Sequence, residues 1–139
     1  MKTKTLQKHL VTAIMLLGFL FSGNFATAQE KNPATLYIYG AVNTRDDKGT
    51  VFSPVVSVNV ENNTLNVRSR LATQFQDYLK NFASGEMGID VRVDVTLSGP
   101  VDNRQKVESD RQNWIKRTRE TYKYNIIHTY SNFYFNFKE

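Results

Sequence analysis

The chain has 139 residues, 22% of them charged, a formal net charge of +5 and no cysteine. That length suits one domain with a modest core. The missing thiols exclude a disulfide scaffold, thiolate zinc sites and iron–sulfur clusters.

Lys2, Lys4 and Lys8 precede an apolar run from Leu10 to Phe25, which Ala26-Thr27-Ala28 follows. A basic start, a short apolar centre and small residues at the cut predict a secretory signal peptide over residues 1–28. The run is interrupted by Gly18, Ser22 and Asn24 and is short for a bilayer span. The leader holds three of the 18 basic residues and none of the 13 acids, which leaves 15 against 13, a net of +2. The whole-chain charge is therefore partly the leader's, and export argues against nucleic acid as partner. Residues 29–139 are expected to form a single small domain, periplasmic or extracellular, with no transmembrane segment after cleavage. His128 is the one histidine beyond the leader, which excludes a multi-histidine metal centre within one chain.

Thr35 to Val42 alternates Leu36, Ile38, Gly40 and Val42 against Tyr37, Tyr39 and Ala41, which predicts a strand. Asn43 to Gly49 reads as a polar hairpin loop. Thr50 to Val60 predicts a second strand, with Pro54 marking an edge or a bulge because it cannot donate to the ladder. After Asn62-Asn63 the period lengthens. Val67, Leu71, Phe75, Tyr78, Leu79 and Phe82 recur at helical spacing and predict an amphipathic helix ending near Gly85. Residues 64–68 fit either its first turn or a short strand, the latter with Ser69 as the helix cap.

Gly88 to Gly99 alternates again. Ile89, Val91, Val93, Val95 and Leu97 face one way, and Asp90, Arg92, Asp94 and Thr96 face the other. One side packs and the other meets water. Asp102 with Gln105 predicts the cap of a second helix from Asn103 to about Tyr122. Tyr124 to Phe137 is rich in β-branched and aromatic residues and predicts a long strand, with a bulge at Ser131-Asn132.

The order strand, strand, helix, strand, helix, strand predicts an α+β domain: two layers, a mixed four-stranded sheet and both helices on one face. The opposite face is then open. It would display Asp90, Arg92 and Asp94 together with Tyr37 and Tyr39, a surface suited to a protein or carbohydrate partner. Arg92 between two carboxylates reads as an ion-pair ladder on a wet face. A flat, solvated face with a cation set between the two acids disfavours acid–base work.

The second helix and its end, from Arg104 to Lys123, set seven basic residues against Glu108, Asp110 and Glu120. Arg111 falls inside its apolar stripe, between Val107 and Trp114. A cation there needs an acidic partner, a route to water, or an anion from outside. No nucleophile motif or metal spacing is present, so no catalytic residue, metal ligand or cofactor is assigned. The expected function is an exported, non-catalytic binding or assembly module of the cell envelope or extracellular space. The alternative is a small extracytoplasmic hydrolase that draws on Asp90, Asp94, Arg111 or His128.

Overall fold

A computed structural model describes residues 31–139. The leader predicted over residues 1–28 lies outside the described residues. The elements are β1 (Ala34–Thr44), β2 (Gly49–Phe52), β3 (Val56–Val60), α1 (Leu65–Asn81), β4 (Val91–Val101), α2 (Arg104–Glu120) and β5 (Asn125–His128). They make an α+β domain around a mixed sheet. No helix among the described residues is long and apolar enough to cross a membrane.

β1 is the central strand. β4 runs antiparallel along one side of it. On its other side β2 and β3 lie end to end, both antiparallel to β1, and β5 adds to β2 in parallel. The single second strand predicted over Thr50 to Val60 is broken at Ser53-Pro54-Val55, so the sheet has five strands rather than four. Pro54 brings no N–H to the ladder. Ser53 repairs the gap: its buried Oγ accepts from the Gly40 N–H at 2.9 Å and donates to the Pro54 carbonyl at 2.9 Å.

The two helices cover opposite faces, which corrects the expectation of both on one. Val67, Leu71, Phe75 and Leu79 of α1 pack on Leu36, Ile38 and Val42. Val107 and Ile115 of α2 pack on Tyr39, Ala41 and Phe52. The one-sided reading came from β4, which is an edge strand. β1 is apolar on both sides, as a strand buried between two layers must be.

β4 also departs from strict alternation. Val95 stands opposite Val42 and Val91 opposite Thr44, so Arg92, Val93 and Asp94 together oppose one residue of β1. This bulge keeps Val91 buried and turns Val93 out, 70% exposed, instead of toward a helix.

Helix α1 begins at Thr64, whose side chain accepts from the Val67 N–H at 3.3 Å, so residues 65–68 are helix and Ser69 is not its cap. It runs on into a π-helical turn, Phe82–Glu86. Helix α2 is capped by Asn103, which accepts from the Lys106 N–H at 2.9 Å, not by Asp102. The long final strand is cut to four residues. A turn at Ser131-Asn132, closed by Phe133 N–H to the Tyr130 carbonyl at 3.1 Å, ends it. The chain then crosses α1, and Phe133, Phe135 and Phe137 enter the core beside it.

A candidate anion site at Arg111

Helix α2 lies on the sheet with Asp110 and Arg111 turned to different strands. Asp110 faces β4 and accepts from Ser98 Oγ at 3.0 Å and Lys106 Nζ at 2.8 Å. The bond from Lys106, helped by that from Ser98, holds its carboxyl below the usual range. Arg111 faces β2 and β5. Its Nε donates to the Ser53 carbonyl at 2.7 Å, and its Nη2 lies 3.3 Å from His128 Nδ1. The strand break at Pro54 is what frees that carbonyl, since a ladder bond would otherwise claim it.

None of the ion pairs among the described residues includes Arg111. Its hydrogen-bond partners are a carbonyl and an imidazole. Burial lowers its pKa, yet a guanidinium stays protonated at any physiological pH. Burial, and then the charges of Arg111 and Arg119, lower that of His128. A neutral imidazole can accept from Arg111 at Nδ1, which places its own proton on Nε2. Beneath the helix, Tyr39 is buried, and desolvation, reinforced by Asp110, pushes its phenol up to about 12.

Two grooves meet at Pro54 and Arg111. One, about 520 Å³, runs between Pro54-Val55 and the Arg104, Gln105, Glu108 and Gln112 side of α2. The other, about 330 Å³, is walled by Phe52, His128, Thr129, Tyr130, Ser131 and Phe133. Arg111 is thus a half-buried cation at the junction of two open channels, with neutral partners and further N–H donors beyond the two bonds it makes.

The remaining residues singled out from sequence lie elsewhere. Two members of the Asp-Arg-Asp row, Asp90 just before β4 and Arg92 within it, pair with the β1–β2 turn. Arg45 Nε reaches both oxygens of Asp90 at 2.9 Å, and Arg92 pairs with Asp47. These pairs tie the hairpin tip to the start of β4, and Asp94 is exposed beside them. Tyr37 is half-buried and Tyr39 buried beneath α2, so they do not share an open face with Arg92. β4 and β5 border the sheet on opposite sides, so Asp90 and Asp94 do not join Arg111 and His128. The hydrolytic constellation is not assembled. Ser53 and His128 are partners of Arg111 that the sequence does not identify. The arginine in an apolar stripe and the proline in a strand are local signals, but no spacing in the chain announces that positions 53, 111 and 128 meet.

No family model, curated protein or solved structure matches the chain.

Proposed function

We propose that this domain is an exported, non-catalytic binding module that takes an anionic group (carboxylate, phosphate or sulfate) at Arg111. The observation that carries the reading is a half-buried guanidinium whose described partners are all neutral. A desolvated cation is costly until an anion faces it. The protein or carbohydrate partner expected on an open sheet face moves accordingly to the two grooves, because α2 covers that face. Export rests on the basic, apolar and small-residue pattern of residues 1–28. Gln105, Gln112, Thr129 and Ser131 along the grooves supply neutral hydrogen-bonding groups on both sides of the charge, which suits an elongated polar ligand.

The test is titration with inorganic phosphate, sulfate and a uronic-acid oligosaccharide at constant ionic strength, followed by amide spectra. Saturable shifts at Ser53, His128 and Thr129 are expected with at least one of them. Arg111→Gln should weaken that binding about tenfold or more, the loss of a charged hydrogen bond worth ~1.5–3 kcal/mol. Arg104→Gln should leave it nearly unchanged, because Arg104 is already paired with Glu108. Shifts that persist in Arg111→Gln, or that chloride reproduces, overturn the reading.

A further inference from the structure

Beyond the turn at Ser131-Asn132, residues 133–139 lie across α1 as an extended strap. Phe133, Phe135 and Phe137 alternate with Tyr134, Asn136 and Lys138. The phenylalanines point inward. The Phe133 ring lies 5.0 Å from those of Tyr78 and Phe82, and Phe135 lies 5.0 Å from Phe75. Phe137 packs with the cluster of Leu36, Val58 and Leu71. Tyr134 points out and is 85% exposed.

The strap is held by side chains rather than by a neighbouring strand. Arg70, Gln74 and Tyr78 stand at successive i, i+4 positions on α1, and therefore in one row. The Gln74 amide bonds Lys138 twice, accepting from its N–H at 3.1 Å and donating to its carbonyl at 2.9 Å. Arg70 donates to the same carbonyl at 3.2 Å, and Tyr78 Oη accepts from the Tyr134 N–H at 3.0 Å. The Glu139 carboxylate accepts from the Glu61 and Asn62 N–H groups at 3.0 and 3.2 Å. This is the geometry of a bound peptide: alternate side chains fill pockets, and a polar row sets the register.

None of these contacts requires the strap to belong to the same chain. Its connection to the sheet is the short turn after β5, where Tyr130, Ser131 and Asn132 are exposed. Straightening that turn carries the strap outward, and a second copy offers the same groove with the same partners. Exchange of an identical element conserves every contact and costs only the hinge and the entropy of association. We propose that residues 133–139 exchange between two copies of this chain, giving a two-fold dimer in which each α1 groove holds the partner's strap. The exchange also reaches the Arg111 region. Phe133 is part of the wall of the smaller groove, so in the dimer that wall is completed by the partner's Phe133. The proposal holds whether or not an anion binds there.

The absence of native cysteine makes the test direct. One preparation carries Gln74→Cys, another Lys138→Cys, and the two are unfolded, mixed in equal amounts, refolded at high concentration and oxidised. Exchange predicts a covalent heterodimer of twice the monomer mass, with a disulfide mapped between position 74 of one copy and position 138 of the other. A chain carrying both substitutions supplies the control for geometry, because the intrachain bond can close in it. Symmetric links alone, or no heterodimer, overturn the proposal. In the unsubstituted chain, refolding at high concentration should add a species of doubled mass by light scattering, and a purely monomeric product overturns it equally.

Discussion

Beneath α1 the sheet meets Phe75, Leu71 and Leu79, and the strap closes the gap beside the helix with three more rings. Beneath α2 it meets Val107 and Ile115, flanked by Asp110 on one side and Arg111 on the other. The same central strand serves both layers, so the contrast comes from the helices. α1 buries four large residues in a continuous stripe. α2 buries Val107, Ile115 and Thr118, and interrupts its stripe with charge. The aromatic layer holds the fold. The polar layer gives up some burial and leaves a cation facing two grooves, which is where recognition can occur.

The largest effects should therefore arise on the α1 side. Phe75 is fully buried and touches both Phe133 and Phe135. Phe75→Ala should cost about 3–5 kcal/mol in urea unfolding, lost transfer energy plus a cavity. Ile115→Ala on the other layer should fall near the lower end of about 2–5 kcal/mol. An equal or larger loss at Ile115 would reverse the ranking of the two layers. Gly40→Ala comes next. Its added Cβ would lie 2.8 Å from Leu79 Cδ2, 2.9 Å from Leu97 Cδ2 and 3.3 Å from Phe75 Cε1. Overpacking there should cost about 1–3 kcal/mol. Leu97→Val in the same chain should recover part of it, so a double-mutant cycle that shows strict additivity would contradict the packing assigned to this layer.

Much of this contrast can be read from the residues, and the parts that cannot have definite causes. The spacing of Val67, Leu71, Phe75 and Leu79 announces α1 because each helical turn returns a side chain to the same core. Pro54 announces an irregularity within residues 50–60, but its missing N–H fits an edge or a bulge as well as the break between β2 and β3 that forms. The second layer is not legible in β4, which alternates like a strand wetted on one side. Edge position explains that pattern as well as an open face does, and edge position is a property of the pairing rather than of the strand. Residues 124–137 have strand chemistry throughout, yet a strand needs a neighbour. Beyond His128 the backbone finds the Gln74 and Tyr78 side chains instead. At the candidate site Arg111 stands out in the sequence, while Ser53 and His128 reach it only through long-range contacts.

The smallest effect belongs to the polar layer and depends on pH. In the folded chain, burial and the charges of Arg111 and Arg119 lower the pKa of His128 from its ordinary 6.5. Between that lowered value and 6.5 the unfolded chain binds more protons than the folded one. Linkage then requires stability to rise with pH across the window. The contribution is complete above about pH 6.5 and is lost as the pH falls through the folded-state value. His128→Gln should flatten this part of the profile while leaving the stability near pH 8 little changed, because the side chain lies at the rim of the layer. Arg111→Gln should bring the His128 titration, followed by imidazole proton shifts, back toward 6.5. A His128 titration unmoved by Arg111→Gln would separate the two residues electrostatically and leave the guanidinium with Ser53 as its one neutral anchor.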